Sequence, residues 1–371
     1  LREHVRKLKG KLDKRGLDAF LVTQNIRYLA GTTAGKAVII PIDAAPVIIC
    51  SRLELEQARR ESWIRDIRAF SSWRAPLRRG ERVYFSRPWQ LIADCLKELG
   101  ARAVGYDRAG RELIRKLWGA NPANYRELPD LMLELRMIKS KEEVALLQKS
   151  ARIAMRGMSC AAESIALGRT ELEIVAEVEY EMRKAGSDGT PFNTIVASGR
   201  NSWLPHAAAT QKRLRRGELI VVDLGATCMG YASDLTRTFA LAPTGRQVKL
   251  VETVKRAQKA ALARVRGGVG ARGVDGAARE VISRAGYAKF CPHGTGHGIG
   301  LDTHEPPSLA PDSKDALRGG MVLTVEPGVY VPRLSGARWE DMVLVTRGGY
   351  KLLTKFPLGV HPCLDTQSTT D

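Results

Sequence analysis

The sequence predicts an α+β protein in two parts: a smaller N-terminal α/β domain over residues 1–130 and a larger α+β domain over residues 131–371. Two observations predict this. In the first part, short apolar runs bounded by turn residues alternate with helical stretches. In the second, pairs of long helical segments alternate twice with paired β-rich runs, which hints at an internal structural duplication without any visible sequence repeat. At 371 residues the chain is long enough for two cores.

In chain order, Val5, Leu8 and Leu12 lie at helical spacing over residues 2–16, with Gly16 as the stop. Strands are expected at 19–22, 37–40, 47–50 and 103–106, and helices near 53–60, 88–99 and 109–118. A long helix begins around Ser140, where Ser140 and Glu143 have capping-box spacing and Val144, Leu147 and Ala151 continue one face. Helices are then expected at about 140–166, 171–185, 246–266 and 274–285. The strands between them are expected at about 192–198 with 218–226 and 231–240, and at 321–332 with 338–346.

A chain that is 44% hydrophobic and 27% charged is globular rather than disordered. No apolar run approaches the roughly 20 residues that cross a bilayer. The first residues, Leu1-Arg-Glu-His-Val-Arg-Lys-Leu-Lys9, are too charged for a secretory signal and read better as an amphipathic helix than as a transit peptide, so a cytoplasmic location is expected. Cys50, Cys95, Cys160, Cys228, Cys291 and Cys363 are scattered without a CxxC, as reduced thiols are. The formal charge of +19 raises nucleic acid as a partner. The excess is spread through helices and loops, however. Residues 1–130 hold 26 Lys and Arg against 15 Asp and Glu, and aromatics are only 6% of the chain. A basic solvated surface, with no nucleic-acid or membrane partner, is the expectation, and the Lys212–Arg216 run reads as a loop before a strand.

Chemistry concentrates in three segments. In Glu218–Thr238, two β-rich runs flank a turn near Cys228–Gly230, as a hairpin does. A turn centred between Cys228 and Met229 puts Asp223 opposite Asp234 on one face, where two carboxylates repel unless a cation lies between them. In Pro292–Pro306, the histidines His293, His297 and His304 fall within twelve residues among glycines that allow close backbone approach. There is no HExxH, which excludes a zincin. Finally, Glu326 and Glu340 sit beside hydrophobic strand runs, where a carboxylate is costly unless paired or metal-bound. Four carboxylates and one histidine, with no thiolate, favour hard or borderline divalent ions, and their number suits two ions sharing acids rather than one. Between such ions a water loses a proton near neutral pH and attacks a polarised carbonyl. Gly268-Val-Gly-Ala-Arg-Gly273 matches GxGxxG but follows a helix, so it reads as a helix–helix connection.

These motifs resemble the creatinase/prolidase/aminopeptidase P family. The resemblance rests on the Asp223/Asp234 hairpin ending Ser-Asp-Leu-Thr-Arg-Thr, the His293–Pro307 loop, Met321–Tyr330 and Ala337–Asp341, with Asn25–Gly31 and Leu135–Ser140 upstream. It implies a "pita-bread" catalytic domain preceded by a creatinase N-terminal-like domain, and a two-metal peptidase cleaving the Xaa-Pro bond at the N-terminus of short peptides. It also implies that Asp223 chelates one ion, His297 and Glu326 the other, and that Asp234 and Glu340 bridge them, with Mn²⁺ as the first choice and Co²⁺ or Zn²⁺ as substitutes. By the same resemblance His206, His293, His304, Glu326 and Arg338 are the catalytic residues. The three histidines face the substrate, and Arg338 orients the bridging acids or meets a short substrate's carboxylate. A homodimer is implied as well. One departure stands out: His206 is followed by Ala207-Ala-Ala-Thr210, whereas many members of the family carry Pro or Gly within a few residues of this histidine, which leaves substrate length open between dipeptides and longer peptides. The alternatives are methionine aminopeptidase, a non-catalytic binding or chaperone protein of the same fold, and metal-free creatinase-type hydrolysis.

Overall fold

The computed structural model describes residues 1–107, 111–120 and 123–356. Cys363 and positions 109–110 of the helix expected at 109–118 lie outside the described residues. The chain divides into two compact units, Leu1–Arg136 and the remainder from Met137.

The N-terminal unit is built on a seven-stranded mixed sheet in the order Val83–Tyr84, Asp66–Phe70, Val47–Ser51, Ala37–Pro41, Ala19–Val22, Ala103–Tyr106, Asn124–Glu127. The strands Ala19–Val22, Ala37–Pro41 and Val47–Ser51 pair antiparallel, and the outer ones add in parallel. The central strands are continuous apolar runs because both faces of the sheet are covered. On one face Leu21, Ile39 and Ile49 join Leu91, Ile92 and Leu96 of helix Pro88–Glu98 in one core. Helix Arg2–Asp13 buries the predicted Val5, Leu8 and Leu12.

In the second unit the Ser140–Glu143 capping box forms, with Ser140 Oγ accepting from the Glu143 amide, and opens helix Lys141–Ser164. This helix and Glu171–Lys184 pack their apolar faces (Ile153, Ala154, Met158; Ile174, Val178, Met182) against the sheet Leu235–Leu241, Glu218–Leu224, Ile195–Ser198. A second pair, Gly245–Leu262 and Ala271–Arg284, covers a five-stranded sheet through Leu250, Val254, Ala257, Val274, Ala278 and Ile282 against Leu323, Val325 and Val343. Two helix pairs on two sheets reproduce the alternation read from the sequence. Of the Gly268–Gly273 run, Gly268–Gly270 lie in the connection between the helices of the second pair, as expected, but Ala271–Gly273 already belong to helix Ala271–Arg284, whose N-cap is Gly270.

Two sequence expectations are corrected. First, Asp223 is opposite Thr236, not Asp234, because Thr227 pairs with Ala232 and Cys228 with Tyr231. The turn is centred on Met229 and Gly230, both at positive φ (50° and 80°), as a two-residue primed turn requires. Because the register moves by two residues, each side chain keeps its face. Second, the expected strands at 321–332 and 338–346 are each interrupted. Val322–Val325 pairs with Asp341–Val345, and Gly328–Val331 pairs with Ser335–Arg338. The break falls at Pro327, which has no N–H to give to a ladder. Both ladders share one register (325 with 341, 328 with 338), so Glu326 and Glu340 stand opposite each other in the gap.

Candidate metal centre

The interruption that separates the two ladders leaves Glu326 on the wall of a cavity and Glu340 beside two other residues of that wall, Asp234 and His297. The glycines of the histidine loop allow the third wall. A Cβ on Gly296 would lie 2.1 Å from the Thr324 carbonyl oxygen, and one on Gly298 would lie 2.3 Å from that of Pro306. Only glycine permits strand Gly296–Gly298 to slot between Glu305–Leu309 and Val322–Val325, and that strand carries His297.

The cavity has a volume of about 700 Å³, and Asp223, Asp234, His206, His293, His297, His304, Glu326 and Arg338 all line it. Glu340 joins them from behind: Asp234, His297 and Glu340 offer ligand atoms that all lie within 4.8 Å of one another. All the residues singled out in the sequence are therefore brought to one place. His297 Nδ1 donates to the Gly298 carbonyl oxygen (3.0 Å), which can only accept. That leaves Nε2 aimed at Glu326 Oε1 (3.1 Å) and Asp234 Oδ2 (3.8 Å). Thr236 Oγ1 donates to Glu340 Oε2 (2.6 Å), and the Arg338 guanidinium pairs with Asp223 Oδ2.

Charge is out of balance here. Burial, followed by the neighbouring carboxylates Glu340, Asp223 and Glu326, holds the Asp234 carboxyl well above the usual range. Burial raises Glu340 in the same way, with Glu326 and Asp223 adding to it. Burial also acts on Glu326, but the hydrogen-bonded His297 ring outweighs it and keeps Glu326 low, while Glu326 raises His297 against its own burial. Beyond the charge that Arg338 already gives to Asp223, a further positive charge in the set would offset this repulsion and favour the ionised carboxylates. Two buried carboxylate oxygens, Asp223 Oδ1 and Glu340 Oε1, have no hydrogen-bond partner among the described residues. Orphaned acceptors of this kind, in an oxygen-rich set with one imidazole, fit divalent cations.

Several supporting groups gave no sequence signal. Tyr330 is buried, hydrogen-bonds to His293 Nε2 (2.9 Å) and accepts from Arg338 Nη1 (2.7 Å). Asp275 accepts from Thr295 N (3.1 Å) and Oγ1 (2.8 Å), and Arg279 donates to the His293 carbonyl oxygen (2.6 Å), so one helix holds the histidine loop at two points. Behind Glu340, Arg237 donates to its carbonyl oxygen and to Asp341 Oδ1 (2.8 Å). Each of these is an ordinary polar residue until tertiary contacts select it. Only the alternation of Tyr330 with Val329 and Val331 hints that it leaves the core face.

An acid-lined cavity between two helix-covered sheets is the architecture of a pita-bread metallohydrolase. Residues 145–347 match the description of metallopeptidase family M24, and residues 4–138 match the creatinase/prolidase N-terminal domain. The Xaa-Pro dipeptidase of Pyrococcus horikoshii is 35% identical over 360 residues, which is 96% of this chain and 97% of that protein. The structure of an Xaa-Pro dipeptidase from Bacillus anthracis superposes with a TM-score of 0.88 at 32% identity, covering 96% of this chain and 98% of that one. An X-Pro aminopeptidase from Thermotoga maritima gives 0.84 at 30% identity, covering 94% and 99%. The chain belongs to metallopeptidase family M24, within the creatinase/prolidase/aminopeptidase P group.

Proposed function

We propose that the protein is an Xaa-Pro peptidase that acts on dipeptides and short peptides, with two divalent ions, Mn²⁺ by preference, held by Asp223, Asp234, His297, Glu326 and Glu340. The observation that carries this reading is the convergence of Asp234, His297 and Glu340 within 4.8 Å, together with two orphaned carboxylate oxygens. Relatives named Xaa-Pro dipeptidase or X-Pro aminopeptidase support the substrate class. Methionine aminopeptidase and a non-catalytic role are not favoured by them.

Bound ions would supply Lewis-acid polarisation of the scissile carbonyl and lower the pKa of the attacking water. The chain's own groups do the rest. His293 donates through Nδ1 to the Gly294 carbonyl oxygen (2.7 Å), and burial favours its neutral form, so Nε2 faces the Tyr330 hydroxyl. Burial and the neighbouring His297 also lower the pKa of His304, whose ring stands 4.3 Å from that of His297. With its one proton on Nδ1, His293 accepts at Nε2 from the Tyr330 hydroxyl and so orients Tyr330. A neutral His304, by contrast, has an N–H that can donate to a peptide carbonyl and a second nitrogen that can take up a proton and pass it to the proline nitrogen. His206 faces the same space from the opposite loop. Arg338, fixed by Asp223, Tyr330, Thr236 Oγ1 (3.1 Å) and the Pro205 carbonyl oxygen (3.1 Å), presents a buried positive charge that suits a dipeptide's carboxylate. An Xaa-Pro bond has no N–H, so the cavity needs to accept a ring and requires no acceptor for it.

We also propose a cytoplasmic homodimer. Cys50, Cys95, Cys160, Cys228 and Cys291 are free thiols, which supports a reducing compartment, and no described helix is long and apolar enough to cross a membrane. Light scattering on the purified chain tests the dimer. The substrate class is tested by assaying Gly-Pro, Ala-Pro-Ala and Met-Ala-Ser with Mn²⁺. Gly-Pro turnover exceeding that of Met-Ala-Ser is expected, and cleavage of Met-Ala-Ser alone would overturn the proposal.

A further inference from the structure

We infer that Glu171 is a positioning residue for His206: its carboxyl group ties both ends of the 199–210 segment to the helix that walls the cavity. The inference rests on the role given to His206 above.

Glu171 opens helix Glu171–Lys184, a place where acids ordinarily face water and favour the helix dipole. Here its exposure is 0%. Oε1 accepts from Ser198 N (2.8 Å), Ser198 Oγ (2.7 Å) and Asn201 Nδ2 (3.1 Å). Oε2 accepts from Thr210 N (3.0 Å), Thr210 Oγ1 (2.7 Å) and the same Asn201 amide (3.1 Å). Thus one oxygen holds the start of the segment and the other holds its end. The helix returns the contact through its backbone, with Glu171 N donating to the Lys212 carbonyl oxygen (3.1 Å) and Leu172 N to that of Thr210 (3.2 Å).

Between those anchors the segment is placed by Ala207, which packs on Ile195 and Ala197, and by two local turns, Leu204 N to the Asn201 carbonyl oxygen (3.1 Å) and Ala207 N to that of Leu204 (3.3 Å). His206 is exposed, and Ala207, Ala208 and Ala209 carry no polar side chain. Its fixed points further in are Ser202, which accepts from Gly336 N (2.9 Å), and the Pro205 carbonyl oxygen under Arg338. Leu172, Val175 and Glu179 of the anchoring helix line the cavity together with Pro205–Ala209. Glu171 therefore sets the separation between the helical wall and the imidazole across from it. A misplacement of about 1 Å at a reacting group is worth about 10²-fold in rate.

The test uses the full chain loaded with Mn²⁺ and Gly-Pro as substrate. Glu171→Gln, which turns one acceptor into a donor, should keep the metal content and lower kcat by about 10- to 100-fold with a smaller change in KM. In a His206→Ala background the same substitution should change kcat by less than about twofold, because both act through one imidazole. Thr210→Val removes one donor while leaving the carboxyl group with its other partners. It should give a smaller loss with the same non-additivity, and it decides the matter if Glu171→Gln does not fold. Losses that multiply in the double variant, or that track loss of metal, overturn the inference alone. A fully active His206→Ala overturns the role of His206 first and the inference with it.

Discussion

Replacing Arg237 by Met should destabilise the catalytic unit by about 3–5 kcal/mol, the usual result of removing one partner from a buried ion pair. Arg237 and Asp341 expose only 2% and 4% of their side chains. The guanidinium donates to Asp341 Oδ1 (2.8 Å), to the Thr236 carbonyl oxygen (2.9 Å) and to that of Glu340, and it lies 4.9 Å over the Trp339 ring. Methionine preserves the stem's packing on Trp339 but removes the charge. Asp341 then keeps Gln258 Nε2 (2.9 Å) and Thr354 Oγ1 (2.8 Å), two neutral donors against a full negative charge. Removing that charge as well, in Arg237→Met/Asp341→Leu, should recover part of the loss, with a coupling of about 1–3 kcal/mol. Denaturant unfolding of the metal-loaded chain, followed by Trp fluorescence, measures both. A single-variant cost below about 1 kcal/mol would refute the reasoning, since that is the scale of a solvent-exposed pair.

Asp234→Ala should abolish Gly-Pro turnover and lower bound metal while leaving the circular dichroism spectrum intact; full metal content with normal turnover contradicts its placement as a ligand. His206→Ala should retain metal yet lose about 10²- to 10⁴-fold in kcat, the range for a proton-transfer group; unchanged kcat removes it from the mechanism. For the metal-stripped protein the sign of pH dependence follows from Asp234 and Glu340, whose burial and mutual repulsion raise their folded-state pKa. Each favours folding while protonated, an advantage fully present below the unfolded carboxylate range and lost as pH rises through the raised folded value. Added Mn²⁺ should therefore raise the melting temperature more at pH 8 than at pH 5, and an equal rise at both would contradict this.

Much of the fold was legible because local chemistry and global structure agree. Ser140 and Glu143 mark a helix start in sequence and form a capping box in space. The hairpin face survived a two-residue register error because side chains alternate with period two, whereas the register itself was hidden by Met229, a non-glycine residue at positive φ. The convergence of Asp223, Asp234, His297, Glu326 and Glu340 was visible as chemistry, through acids placed on apolar strands. Its support was not. Glu171 looks like an ordinary first-turn acid, Asp275 and Arg279 like a surface i, i+4 pair, and Arg237 like one more basic residue in a basic chain. The contacts that give them these roles, from Arg279 to His293 at 14 positions to Arg237 with Asp341 at 104, are long-range, and no local pattern encodes such distances.

Metal content measured alongside turnover tests the central claim most directly. Mass spectrometry of the purified chain, stripped and then titrated with Mn²⁺, should show Gly-Pro hydrolysis absent without metal and complete at two ions per chain. Hydrolysis at full rate with no ion bound would contradict the account.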